Sequence, residues 1–144
     1  MTRDDAVRLV KAVFKEIGAE SPGLNEKGFG GTMLGRAQVN FEHREKEGEL
    51  EVLAHVYTFR NEPKPNVLAA LEEEARGGAP LGGGQYRYMP ENKGVFLARV
   101  YREPVEEASF LADVKALAEA SLVWRREVYP RALDRAFGHA ATTH

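Results

Sequence analysis

The chain has 144 residues, of which 43% are hydrophobic and 29% charged, a balance typical of a globular protein with its own core. Its net charge of −2 provides no basic surface for nucleic acid or anionic lipid, and its lack of cysteine excludes disulfides, thiolate nucleophiles and Cys-based zinc sites. No apolar run reaches the roughly 18 residues that a membrane span needs. We therefore expect a cytoplasmic protein that has neither a nucleic-acid nor a membrane partner.

The first third of the chain predicts one helix followed by strands. Residues 4–17 place apolar side chains at helical spacing, with charged residues on the other side. Residues 21–31 are rich in Gly, Asn and Pro and predict a loop that leads into a short strand over 29–34. Residues 37–43 alternate apolar with polar and predict the next strand, which ends in a charged turn at 44–48.

The middle of the chain continues the sheet. Residues 49–59 predict a strand that forms a hairpin with the one before it. Residues 66–76 predict a short helix, followed by a flexible glycine-rich loop over 77–84. Residues 86–89 and 95–102 then predict a second hairpin.

The end of the chain predicts a long helix over residues 105–129. Pro130 should kink or end this helix, because proline lacks a backbone N–H and crowds the preceding turn. Residues 131–137 predict two further turns. We expect one domain over residues 1–138 and a disordered tail at 139–144. The predicted fold class is α+β: an antiparallel sheet of about five strands with three helices, in the order α-β-β-β-α-β-β-α.

Two of the predicted strands, at 50–59 and 94–101, are apolar on both faces. In the first of them one face carries Leu50, Val52, Ala54 and Val56, and the other carries Leu53, His55, Tyr57 and Phe59. A sheet covered on one side only should alternate apolar with polar residues. Three helices can cover one face of a five-stranded sheet, so we expect a second subunit or a partner protein on the other.

The residues with catalytic or ligand-binding chemistry do not form a recognisable motif. His43 and His55 lie on opposite arms of one hairpin, where a joint site is conceivable, although packed or surface histidines are the commoner interpretation. Gly82–Gly84 could bind a phosphate through backbone amides, but the loop leads into a strand rather than a helix. Trp124 lies in an amphipathic helix, which favours a packing role over nucleic-acid binding. We expect no enzyme, no metal and no cofactor.

Three segments of the chain carry a family resemblance: the first helix (DDAVRLVKAVFKEIG), the first hairpin (VNFEH to LEVLAHVYTF), and the stretch from NVLAALEEE to ASLVW. The last of these combines a short helix, a glycine break, a hairpin turned at glycine, a proline and a long closing helix. In this order the chain resembles the class I type III secretion chaperones, the Tir-chaperone family, and their YbjN-like relatives.

The resemblance implies a small, non-catalytic homodimer that holds an extended segment of a secreted effector or other client protein on apolar sheet surface. It places the partner-binding patches on the first helix and the first sheet strands, with these sheet residues: Val39, Phe41, Leu50 and Val52. It places the dimer interface around the second helix and the strand that follows it: Val67, Leu68, Leu71, Tyr86 and Tyr88.

Two other functions stay open from the sequence. The same fold could serve as a scaffold, an adaptor or an immunity protein that recognises a folded protein partner. An enzyme or small-ligand protein could instead use the loop at Gly82–Gly84 together with His55, Tyr86 and Tyr88.

Overall fold

The computed structural model describes residues 1–138, so the disordered tail predicted at 139–144 lies outside the described residues. The first part of the fold consists of α1 (Arg3–Glu16), β1 (Phe29–Leu34), β2 (Ala37–Arg44) and β3 (Glu49–Thr58). The second part consists of α2 (Pro65–Arg76), β4 (Gln85–Met89), β5 (Gly94–Tyr101), α3 (Glu107–Val123), a π-helical segment (Trp124–Val128) and α4 (Tyr129–Ala136). The predicted α+β class and element order are confirmed, with α3, the π-helical segment and α4 together forming the third helical region.

The five strands form one antiparallel sheet in the order β1-β2-β3-β5-β4. A tight turn joins β2 to β3, and Gly48 adopts a positive φ of 64° there, which an L side chain rarely adopts. α2 lies between β3 and β4 in sequence, so β5 returns to pair with β3 and β4 becomes an edge strand. β1 is the other edge.

The first helix begins and ends at residues that suit those positions. The Thr2 side chain caps the helix by accepting a hydrogen bond from the Asp5 backbone N–H at 3.1 Å. Five apolar residues form its buried stripe: Ala6, Leu9, Val10, Val13 and Phe14. Gly18 follows the last turn with φ of 72°, which ends the helix near the predicted position.

The helices cover one face of the sheet, which we call the inner face. Its buried residues on the three central strands include Ala37, Val39, Phe41, Leu50, Val52, Ala54, Val95, Leu97 and Tyr101. The opposite, outer face carries the alternate residues of the strands, as the two-residue period of a strand requires. A bulge between His55 and Tyr57 of β3 breaks this alternation, so Tyr57 lies opposite the inner residue Val95 and not on the face predicted for it. The core therefore lies between the inner face and α1 and α3, and it includes Phe110 and Val114 of α3.

The closing helix changes its winding before Pro130 and does not end there. The Tyr129 N–H donates to the carbonyl of Trp124, five residues back, so the turn at 124–128 is wider than an α-helical turn. Pro130 provides the reason, because it has no N–H to give to the carbonyl of Arg126 and its ring would crowd that carbonyl in a regular helix. The helix therefore accommodates Pro130 by widening one turn, and α4 continues beyond that turn.

Candidate protein-binding surface

The four residues expected to bind a partner lie on the inner face. Val39, Phe41, Leu50 and Val52 are only 0–1% exposed. The Phe41 ring packs between Phe14 of α1 and Phe110 of α3, with centroid distances of 6.5 and 6.4 Å. β2 and β3 are central strands whose inner side chains these helices cover. These four side chains therefore form no exposed patch within the chain, and partner binding through them stays a prediction.

The residues expected at a dimer interface are partly or fully covered within the chain. On α2, Val67 and Leu71 are 3% and 0% exposed, whereas Leu68 is half-buried. On β4, Tyr86 and Tyr88 are half-buried and pack against the inner core. Self-association through these five residues stays a prediction.

Tyr86 packs against a tryptophan and keeps its hydroxyl out of water. Its ring stacks on Trp124, which is fully buried and whose Nε1 donates to the Pro80 carbonyl at 2.6 Å. The Tyr86 hydroxyl has no hydrogen-bond partner among the described residues. Burial, with a smaller contribution from the charge of Glu72, raises its pKa. Trp124 thus has the packing role predicted for it.

The outer face carries an apolar cluster of its own. Leu53 lies opposite Ala98 in the register of β3 and β5, and Phe96 completes the cluster beside them. These three side chains are 5–6% exposed, and Met89 of β4 packs against them. The central strands therefore carry apolar residues on both faces, as predicted, but neighbouring side chains of the sheet cover much of the apolar surface on the outer face.

A charged network borders this cluster on the outer face. The Glu51 carboxylate is 1% exposed, lies 2.9 Å from Arg44 and is also paired with Arg87. Arg44 further contacts Glu42 at 2.7 Å and Glu49 at 3.3 Å. Burial alone would lower the pKa of Arg44, but hydrogen bonds to Glu51 and Glu42 raise it. This network was not predicted from the sequence, although a lone carboxylate inside an apolar strand is a usable signal for one.

The β1 edge of the outer face is the most exposed apolar feature of the sheet. Phe29 and Met33 are 49% and 52% exposed. The His43 N–H donates to the Gly28 carbonyl, so Gly28 and His43 form a hydrogen-bonded pair. Hydrogen-bonded pairs alternate with non-hydrogen-bonded pairs along two antiparallel strands, so the backbone N–H and C=O of Gly31 and Met33 point away from β2. The outward groups of Phe29 are already hydrogen-bonded to Asn25: the Phe29 N–H donates to Asn25 Oδ1, and the Asn25 N–H donates to the Phe29 carbonyl.

The edge was not singled out from the sequence because β1 is short and contains two glycines. The only signal was the spacing of Phe29 and Met33 in the segment predicted as a short strand. Their outward backbone groups follow from pairing with β2, which the sequence pattern of β1 does not reveal.

The structure does not bring the alternative ligand-binding residues together. His55 lies on the outer face, where its Nε2 is 2.7 Å from Thr58 Oγ1, and burial followed by the charge of Arg125 lowers its pKa. Tyr86 and Tyr88 lie on the inner face. His43 is also on the inner face, with Nε2 3.1 Å from the Met1 carbonyl, so it shares no site with His55.

The glycine loop has a structural reason for its composition. A Cβ at Gly82 would lie 2.5 Å from the Ala116 carbonyl oxygen of α3, and one at Gly84 would lie 2.5 Å from the Ala98 carbonyl oxygen. The loop therefore needs glycine where it passes close to backbone. Among residues 1–138, no group of three or more His, Cys, Asp or Glu side chains could hold a metal ion, and no helix is long and apolar enough to span a membrane.

Comparisons with known proteins give matches at the level of structure only. No protein-family model matches the chain, and a search of curated proteins finds no match. A chain in the crystal structure of the ExsC-ExsE complex is similar, with a TM-score of 0.69 and 17% identity over 88% of this chain and 96% of that one. A chain of the HopA1-SchA chaperone-effector complex is also similar, with a TM-score of 0.60 and 11% identity over 88% of this chain and 98% of that one.

At these identities the comparisons show the fold alone. Nearly the whole length of each solved chain is matched, so the likeness covers the complete arrangement of sheet and helices. The resemblance inferred from the sequence is therefore confirmed as one of fold: this chain folds like the type III secretion chaperones.

Proposed function

We propose that this protein is a non-catalytic, chaperone-like module that holds an extended segment of a partner protein at the β1 edge. The observation that carries the proposal is the combination of outward backbone groups at Gly31 and Met33 with the exposed Phe29 and Met33 side chains. An extended peptide can add to such an edge by backbone hydrogen bonds, while alternate side chains contact the apolar positions. The chaperone fold of the chain supports the same function.

The partner segment would extend the outer face of the sheet by one strand. Its side chains on that side would lie beside Phe29 and Met33, which are four residues apart on one face of β1. We therefore propose a partner segment with apolar residues at alternate positions, such as the unfolded part of a secreted effector or another client.

One substitution tests the edge with little change to the rest of the fold. Gly31→Pro removes the outward N–H of the edge but leaves the hydrogen bonds between β1 and β2, since Gly31 is not a hydrogen-bonded position of that pair. Gly31→Ala is the matched control, because its Cβ meets the same Asn40 Oδ1 at 2.7 Å while its N–H remains.

The measurement is capture of partner proteins from the cells that produce this protein, followed by mass spectrometry. We expect wild type and Gly31→Ala to retain a partner that Gly31→Pro loses, with all three showing the same circular dichroism spectrum. Retention of the partner by a folded Gly31→Pro variant would show that β1 is not the binding edge.

We further propose that the protein forms a homodimer. The half-buried Leu68 on α2 and the half-buried Tyr86 and Tyr88 on β4 supply apolar surface at neighbouring positions. Size-exclusion chromatography with light scattering measures the mass directly over a concentration series. A mass of one chain at every concentration would refute the homodimer.

A folded partner is the second candidate, and the charged network on the outer face favours it. Arg44 and Arg87 are held in place by Glu51, so this face presents charges at fixed positions, as recognition of a folded surface requires. Arg87→Ala distinguishes the two functions, because it removes a charge from the face and leaves the β1 edge intact. Loss of the partner with Arg87→Ala, but not with Gly31→Pro, would favour a scaffold, adaptor or immunity protein.

The non-catalytic part of the proposal has its own test. A thermal-shift screen against nucleotides and metal ions detects small ligands, since a ligand at 100 times its Kd stabilises a protein by about 2.7 kcal/mol. We expect no shift with any of them. A reproducible shift that depends on His55 or on the Gly82–Gly84 loop would contradict the proposal.

A further inference from the structure

The last helix is held to α2 by a buried carboxylate. Glu74 of α2 is 6% exposed, and its Oε1 accepts two hydrogen bonds from Arg131 of α4, at 3.0 Å from Nε and 2.8 Å from Nη2. Its Oε2 accepts a third from Arg135 Nη2 at 2.6 Å. Both oxygens of one carboxylate are thus occupied by α4.

Two further contacts extend this cluster along both helices. Arg135 also lies 3.2 Å from Glu73, and the Asn66 side chain donates to the Ala136 carbonyl at 2.8 Å. The start of α2 therefore meets the end of α4, and the two helices run antiparallel. Glu73 and Glu74, which we call the acidic side of α2, are complementary in charge to Arg131 and Arg135 of α4.

The apolar contacts of α4 are concentrated at its start. Tyr129 stacks on Tyr57 with 4.3 Å between the ring centroids, and Leu133 and Ala136 are partly buried against the core. Ala132 is its one fully buried residue, while Phe137 just beyond its end is 53% exposed. A groove of about 330 Å³ remains between α4 and the segment at 59–64, with Val67 and Leu133 among its lining residues. A terminal helix with one fully buried side chain, held to its neighbour largely by polar contacts after its first turn, belongs to the parts of a protein that open at low free-energy cost.

The segment that connects α4 to α3 is a point at which the helix can change direction. The π-helical segment at Trp124–Val128 precedes Pro130, and both features mark places where helices bend. A change in winding there would move α4 while Trp124 stays in the core, where it is fully buried.

We propose that α4 is an exchangeable helix: the acidic side of α2 binds the α4 of its own chain in the monomer, or the α4 of a second copy in a dimer. Every contact of Glu74 with Arg131 and Arg135 is restored in the exchanged form, because both chains carry the same residues. This inference gives the homodimer proposed above a specific geometry and rests on that proposal for its occurrence in the wild-type protein.

Charge reversal on α2 and on α4 distinguishes exchange of α4 between two chains from a contact within one chain. One variant carries Glu73→Lys and Glu74→Lys on α2, and the other carries Arg131→Glu and Arg135→Glu on α4. Each variant alone opposes like charges across the contact. In a mixture, the α4 of each variant matches the α2 of the other, so we expect a heterodimer with the mass of two chains.

Two controls keep the test falsifiable. A single chain with all four reversals restores complementary charges internally, and its melting temperature shows whether the reversed contact can form. Arg76→Glu is the matched surface control, because Arg76 is exposed and, in the described residues, pairs only with Glu72 of its own helix. Failure of the mixture to give a heterodimer, together with recovery of stability in the four-reversal chain, would overturn the exchange.

A measurement on the wild-type protein covers the case in which the reversed variants do not fold. Hydrogen exchange followed by mass spectrometry should show the amides of α4 exchanging at least tenfold faster than those of β3 and β5. Protection of α4 equal to that of the central strands would overturn the proposal, because α4 would then open only when the whole protein unfolds. Neither readout uses a client protein, so failure here is distinct from failure of partner binding at β1.

Discussion

The ring of Tyr86 lies nearly parallel to the indole ring of Trp124, with 5.8 Å between the ring centroids and 19° between the ring planes. The same indole donates a hydrogen bond to the Pro80 carbonyl. Trp124 therefore joins the strand β4, the loop before it and the turn that precedes α4. Removing the indole and removing only the Tyr86 hydroxyl should change the free energy of unfolding in opposite directions.

Trp124→Ala is expected to lower the free energy of unfolding by about 3–5 kcal/mol, because it leaves a cavity in a fully buried site and removes the hydrogen bond to Pro80. Urea unfolding followed by circular dichroism measures the loss. Trp124→Phe keeps part of the ring and should lose less. Equal losses for the two variants would contradict a packing role for the indole.

Tyr86→Phe is expected to raise the free energy of unfolding by about 1 kcal/mol. The hydroxyl is buried without a hydrogen-bond partner in the described residues, so its removal deletes a desolvated polar group and keeps the ring stacked on Trp124. Calorimetry of the two proteins side by side measures the change. A clear decrease in stability would mean that the hydroxyl has a partner, such as an ordered water.

The contribution of Glu74 should depend on pH. Hydrogen bonding to Arg131 is the largest effect and lowers its pKa below the ordinary value of 4.5; burial opposes this, and the charges of Arg131 and Arg135 add to the lowering. A carboxyl whose pKa is lower in the folded state stabilises the protein above its unfolded pKa and loses that contribution as the pH falls through the folded value.

The stability difference between wild type and Glu74→Gln should therefore be constant near neutral pH and shrink as the pH falls below about 4.5. Urea midpoints over a pH series provide the measurement, with Glu91→Gln in the exposed turn before β5 as the control. A difference that does not narrow in acid would show that the Glu74 carboxylate and the arginines do not interact as described.

Phe29→Asp combined with Met33→Asp should abolish partner capture and change the free energy of unfolding by less than about 1 kcal/mol, since both side chains are about half exposed. Ile17→Asp is the matched control, because Ile17 is also an exposed apolar residue, 38% accessible, but lies at the end of α1. Capture and melting temperature are measured together. Equal loss of capture with Ile17→Asp would indicate a nonspecific effect of added charge.

Much of the fold could be predicted from hydrophobic periodicity. The bounds of α1, β2 and β3 differ from the predicted ones by one residue, because caps and turn glycines mark them locally. The winding change at 124–128 could not be predicted, since the pattern of apolar residues continues through it. It arises from the missing N–H and the ring of Pro130.

The candidate surface was harder to predict than the fold. Alternation shows that Val39 and Phe41 share a face of β2, but it does not show which face the helices cover. That choice depends on how α1 and α3 pack, and it placed both residues in the core. Phe29 and Met33 became candidates only once the strand order made β1 an edge.

The open edge at β1 has a consequence for the protein without its partner. Outward backbone groups at Gly31, flanked by the exposed Phe29 and Met33, can pair with any extended chain, including β1 of another copy. The strand has six residues and carries no charged side chain or proline that would oppose such pairing. Solubility should therefore fall at high concentration of the isolated protein and recover when a partner segment is produced with it.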